Sequence, residues 1–183
     1  MVEPKQPEDK VWVATYAKMA LVRVEGRGSF KVSTALKQFG QSAIESGCSK
    51  AVLDMTNCVG MDSTFMGVIA GIAARLREVS GGETVMLNLT SRTRGLVATL
   101  GLDRVVKAFQ SGETPEEFKQ ALSITTGMST LASHSGNQLS TAETMLEAHE
   151  NLVELSPDNL PRFKDVLTFL REDVKKKTQQ GEP

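Results

Sequence analysis

Between Ala51 and Gly82 the hydrophobic pattern changes period once, and little else that this chain can do is so tightly constrained. AVLDMT is a nearly continuous apolar run, the pattern of a central strand buried on both faces. Phe65, Val68, Ile69, Ile72, Leu76 and Val79 then recur at i, i+3, i+4, i+7, i+11 and i+14, one face of a helix that Gly81-Gly82 stops. At the joint stand Asp62, Ser63 and Thr64. The spacing predicts a strand ending at Thr56, a short loop, and a helix starting near Ser63. That is a βα turn at the carboxyl edge of a sheet, where ligands and partners usually meet such folds.

The rest of the chain extends the same alternation. Trp12–Tyr16 and Met19–Val24 read as a strand pair, and Ser33–Ser46 as an amphipathic helix terminated by Gly47. Thr84–Leu89 is a strand, Ser91–Leu100 a helix, Val105–Phe109 a last strand, and EEFKQALS after Pro115 a short helix. The order ββαβαβαβ predicts an α/β fold with a parallel or mixed sheet faced by helices. Ser123–Ser140 is rich in Ser, Thr and Gly and carries no charged residue, so it is expected to be a flexible linker. Beyond it lies a C-terminal helical extension over 141–177. Ser140-x-x-Glu143 is a capping-box pattern opening its first helix. Phe163, Val166, Leu167, Leu170 and Val174 stripe its second, which ends in Lys175-Lys176-Lys177.

Composition narrows the function. A formal net charge of −1 over 183 residues gives no electrostatic reason to expect nucleic acid or an anionic membrane as partner. The charged, proline-bearing stretch 1–10 reads as an N-terminal tail and not as a secretory signal. The apolar run of the central helix stops at Arg75, short of the ~20 residues a membrane span needs. Cys48 and Cys58 flank a strand that should hold them ~20 Å or more apart, and free thiols suit the cytoplasm. No zinc-ligand spacing, phosphate loop or GxSxG elbow is present, so no metal and no cofactor are expected. Ser63 as an enzyme's nucleophile would need a base. His134 falls in the linker and His149 on a tail helix, so neither is placed to serve, and no catalytic residue is assigned.

An aspartate or serine ahead of a helix is ordinarily just its cap. Three consecutive oxygen-bearing side chains, with Met55, Met61 and Met66 around them, exceed what one cap needs. LDMTNCVGMDSTFMGVIAGI, followed by GGETVMLNLTSRTRGLVATLGLDRVVKAF, resembles the STAS-domain family of bacterial anti-sigma factor antagonists over about 11–118. Members show a strand ending in an aspartate-bearing D-x-S/T, then D-S-S/T-G and an apolar helix. The resemblance implies a STAS-like mixed sheet and a switch protein that is not an enzyme. It matches Ser63 to the phosphoacceptor, with Thr64 as second choice, Asp62 to the preceding carboxylate and Asp54 to the acidic strand position. It makes Asp54, Asp62, Thr64, Phe65 and Met66 the partner-binding residues, Phe65 departing from the family's usual glycine. The implied partners are an anti-sigma factor that is also a GHKL-type serine kinase, and a PP2C-type phosphatase. Arg92 and Arg94 are candidates to steady a phosphate, although a solvated pair is their more ordinary reading. A scaffold or sensor module that is never phosphorylated is the alternative function. The apolar stripe of the extension must be covered by its own domain, by a partner or by self-association.

Overall fold

The computed structural model describes residues 8–134 and 136–181, so most of the proposed N-terminal tail, residues 1–7, lies outside the described residues. Strands β1 (Lys10–Tyr16) and β2 (Met19–Gly28) form an antiparallel hairpin closed by Ala17 and Lys18, both at positive φ. After α1 (Phe30–Glu45), β3 (Lys50–Met61) returns parallel to β2. Helix α2 (Ser63–Ser80), β4 (Glu83–Leu89), α3 (Ser91–Thr99), β5 (Val106–Gln110) and α4 (Glu116–Leu122) complete the alternation. The sheet order is β5-β4-β3-β2-β1-β6, where β6 is Ser129–Thr130. Strands β2 to β5 are parallel, and both hairpin partners at the other edge are antiparallel. This is the expected mixed α/β architecture.

Alternation along the strands decides which helix covers which face. Leu53 and Met55 point into the main core with Leu36 of α1, Phe65 and Ile69 of α2 and Val97 of α3. Val52, Leu21, Val85 and Leu87 point the other way, against Phe118 and Ala121 of α4. Helices α5 (Gln138–Leu155) and α6 (Leu160–Gln180) form a further layer, with α5 lying across α1 and α2 and α6 packed on α5.

Three expectations from the sequence are corrected. Strand β3 does not stop at Thr56 but runs to Met61, because two register shifts against β2 let pairing continue through Cys58 and Gly60. The Ser/Thr/Gly-rich segment is docked along the domain and does not act as a free linker. Its backbone pairs with the open edge of β1, Leu131 N–H donates to the Val11 carbonyl at 2.8 Å, and Ile124, Met128 and Leu131 pack on the cores. An unpaired strand edge offers hydrogen bonds that composition does not register. Helix α5 starts at Gln138 with Asn137 as its cap, whose carboxamide oxygen accepts from Ser140 N–H at 2.8 Å, so Ser140 lies inside the helix.

The extension is covered by its own domain. Ala148 and Leu152 of α5 are 1% and 0% exposed, within the same core as Phe65 and Ile69. Asn159 is buried where α5 turns into α6, and its amide donates to the carbonyls of Leu100 at 2.9 Å and Leu152 at 2.8 Å. The domain and its extension therefore share one core. Truncating Leu152→Ala should cost about 2–5 kcal/mol, read as a lower urea midpoint with one transition. A change below about 1 kcal/mol would show that α5 is only loosely attached.

Candidate functional site

The site begins with one carboxylate. Asp62 is the N-cap of α2, and its Oδ1 accepts the Phe65 N–H at 2.9 Å. Its Oδ2 accepts the N–H of Phe30, the first residue of α1, at 2.7 Å, while its own N–H donates to the Gly28 carbonyl. Two helix starts thus converge on one negative charge, the end of each dipole that favours it. Ser29, which precedes α1, makes no side-chain cap bond, so Asp62 serves both helices.

Ser63 follows in the first turn of α2 and is half-buried. Its Oγ lies 2.9 Å from Nε2 of His149 on α5. The other ring nitrogen, Nδ1, is 2.7 Å from the Met145 carbonyl, which can only accept. Nδ1 therefore carries the proton, and in the neutral ring Nε2 presents its lone pair and the Ser63 hydroxyl donates to it. His149 is 3% exposed, and its imidazole packs edge-on against Phe163 of α6, with ring centroids 4.9 Å apart. The expectation that no base reaches Ser63 is thereby overturned: His149 is 86 residues away in sequence and within hydrogen-bond distance in the fold.

The remaining expected site residues separate. Thr64, Phe65 and Met66 are 3%, 0% and 3% exposed, so the side chains after Ser63 pack into the core. The Phe65 ring occupies the space over Gly28, where a Cβ would come within 2.6 Å of it, and this accommodates the departure from the family's glycine. Asp54 shares the α4 face with Val52, opposite to α2. There it accepts from Arg23 Nε at 3.0 Å, and Arg23 also donates to the carbonyls of Leu122 and Ile124, tying the end of α4 to the sheet. Asp54 further accepts from Thr56, which links through Asn88 to Thr114. Arg92 and Arg94 are exposed on α3, and Arg94 donates to the Ala108 carbonyl at 2.8 Å.

Cys48 and Cys58 are free and buried, and burial pushes both thiols above their usual pKa. Among the described residues no group of three or more His, Cys, Asp or Glu is gathered to hold a metal ion. Nor is any helix among them long and apolar enough to cross a membrane.

The STAS domain family model matches residues 12–114. The chain belongs to the STAS-domain family. Its fold is similar to that of an anti-sigma factor antagonist from Mycobacterium paratuberculosis, at 18% identity and a TM-score of 0.50 over 62% of this chain and 93% of that one. The anti-sigma factor antagonist SpoIIAA in its unphosphorylated form matches at 14% identity and TM-score 0.48, over 64% of this chain and 100% of its own. The Bacillus cell fate determinant SpoIIAA in its phosphorylated form matches at 18% and 0.47, over 61% and 96%. No curated protein sequence matches the chain. The matched STAS segment ends ahead of α5 and α6, so His149 belongs to the extension and not to that segment.

The double role of Asp62 makes a direct prediction. Asp62→Ala should lower stability by about 1–2 kcal/mol, and Asp62→Asn, which keeps one acceptor oxygen, by less. Equal urea midpoints for Asp62→Ala and the parent would contradict the assignment of the cap.

Proposed function

We propose that this STAS protein is a phosphorylation-switched protein-binding regulator whose phosphoacceptor is Ser63. The observation that carries this reading is the position of the Ser63 hydroxyl. It stands on the first turn of α2, half-exposed at the carboxyl edge of the sheet, while Thr64 beside it is buried. That favours Ser63 over Thr64 as the group a visiting kinase reaches. Unphosphorylated, the surface around Asp62 and Ser63 binds an anti-sigma factor that is also a GHKL-type serine kinase, and transcription is the output in a bacterial cytoplasm. A PP2C-type phosphatase restores the hydroxyl. Partner contact centres on Asp62 and Ser63 and on the exposed Phe30 and Val59, on the chain segments that meet this turn. Of the two arginines, Arg94 is committed to the Ala108 carbonyl, which leaves the exposed Arg92 as the candidate to steady a phosphate.

The physics is that of a local charge change. A phosphate brings about −1.5 to −2 charges next to Asp62, at a helix start whose first amides have no intrahelical acceptor. The fold tolerates the anion there. A partner that must bury it beside a carboxylate does not, and the two like charges act on docking.

One observation favours the alternative of a scaffold that is never phosphorylated: the hydroxyl is already hydrogen-bonded to a buried imidazole beneath the extension. A single experiment separates the two readings. Incubation with ATP and the cognate kinase should add one phosphate, mapped by mass spectrometry to Ser63 and lost in Ser63→Ala. Ser63→Asp should weaken kinase binding at least tenfold, about 1.4 kcal/mol. An unmodified chain with a functional kinase present would establish the scaffold.

A further inference from the structure

The pair formed by Ser63 and His149 does more than close a helix contact. Its geometry is that of a nucleophile with its base: a hydroxyl 2.9 Å from Nε2, and an imidazole whose tautomer is fixed by a third group, the Met145 carbonyl. The imidazole is held on three sides, by Met145 of its own helix, Phe163 of α6 and Ser63 of α2. The backbone around it is held as firmly. A Cβ on Gly67 would come within 2.2 Å of the Ala148 carbonyl oxygen, and Asn151 Nδ2 donates to the Gly67 carbonyl at 3.2 Å. Gly71, one turn further, faces the Asn151 side chain. Ser63, Gly67 and Gly71 are spaced i, i+4, i+8 and form one stripe on α2. The close approach along that stripe sets His149 opposite Ser63.

Neither of the two clefts beside α5 serves the pair. One cleft along α5 is lined by Lys37, Gln41, Arg75, Glu147 and Asn151. A second lies between the start of α5 and α6, lined by Asn137, Met145, Phe169 and Lys177. Neither includes Ser63 or His149, so neither offers the pair a small-molecule substrate. The electrophile must be carried to the half-exposed hydroxyl from outside.

We propose that His149 is the proton acceptor that activates Ser63 toward a phosphoryl group, making the C-terminal extension part of the phosphorylation site. This assignment rests on the reading of Ser63 as the phosphoacceptor. In the transfer, Ser63 Oγ forms a bond to the γ-phosphorus of a nucleoside triphosphate held by the kinase. The bond from that phosphorus to the β–γ bridging oxygen breaks, and its electron pair leaves with the nucleoside diphosphate. The hydroxyl proton passes to Nε2 of His149. The resulting imidazolium stands against the new phosphoserine, an opposite charge where the hydroxyl had been.

The test needs no kinase. Diisopropyl fluorophosphate reacts with an activated serine by the same displacement: Oγ–P forms, P–F breaks, fluoride leaves with the electron pair, and the proton goes to the base. In the intact chain the label should sit on Ser63 alone, located by peptide mass spectrometry and absent in Ser63→Ala. Positioned general bases contribute roughly 10²–10⁴-fold, so His149→Gln should label at least about a hundredfold more slowly. Arg171→Ala, which breaks the exposed ion pair with Glu150 between α6 and α5 without touching the imidazole or the α2 contact, should label within about threefold of the parent. No label on Ser63, label spread over exposed serines, or His149→Gln within threefold of the parent each overturns the assignment, the first two without any variant. A fall in Arg171→Ala as deep as that in His149→Gln overturns it too, because general loosening of the helix pair would then account for the effect. The labelling and the kinase reaction fail separately. A Ser63 that its kinase phosphorylates but the reagent ignores removes the role of His149 and leaves the switch. A Ser63 that is labelled through His149 but never phosphorylated does the reverse.

Discussion

The close approach of α5 to α2 at Gly67 is the contact on which the functional geometry depends. The Ala148 carbonyl sits where any side chain at position 67 would be. A β-carbon there would push the helices apart and lift His149 from Ser63 one turn away. The same approach buries Leu152 and Ala148 in the main core. Thr144 hydrogen-bonds to Thr34, Lys37 pairs with Glu147, and so α5 is held on α1 as well. The extension completes the outer face of the two helices that Asp62 caps. Stability and presentation of the hydroxyl therefore share one set of contacts.

The STAS segment was legible because its signals are local. Period-two and period-3.6 patterns in adjacent stretches place every strand from β1 to β5 and the helices between them, and Asp62 before an apolar stripe reads as a cap. What escaped was non-local. Strand β3 outlasts its apolar run because β2 supplies partners for Asn57 to Met61. The Ser/Thr/Gly segment is ordered by an edge of β1 more than 100 residues earlier. Nothing near His149 in sequence announces Ser63. One signal was present all the same: Ser63, Gly67 and Gly71 at i+4 spacing form a small-residue stripe, and an amphipathic extension without a partner of its own needs such a surface. Asp54 shows the converse. Its place in the motif suggests the Ser63 turn, yet strand alternation sends it to the opposite face, where it holds Arg23 and the end of α4.

The molecule is thus a STAS domain whose Asp62–Ser63 turn is shared between the domain and its appended helix pair. Asp62 fixes where α2 begins, Ser63 takes its place on the first turn, and His149 holds the hydroxyl from the far end of the chain. A phosphate at this point would alter two surfaces at once, the edge offered to partners and the contact that seats α5.

The hydrogen bond from Ser63 to His149 can be observed directly in the ring-nitrogen resonances of a uniformly ¹⁵N-labelled protein. Long-range proton–nitrogen spectra at neutral pH should show His149 as the Nδ1–H tautomer, with Nε2 unprotonated and its resonance displaced by an accepted hydrogen bond. In Ser63→Ala that displacement should vanish while Nδ1 stays protonated. An Nε2–H tautomer, or an Nε2 resonance indifferent to the loss of the hydroxyl, would contradict the account.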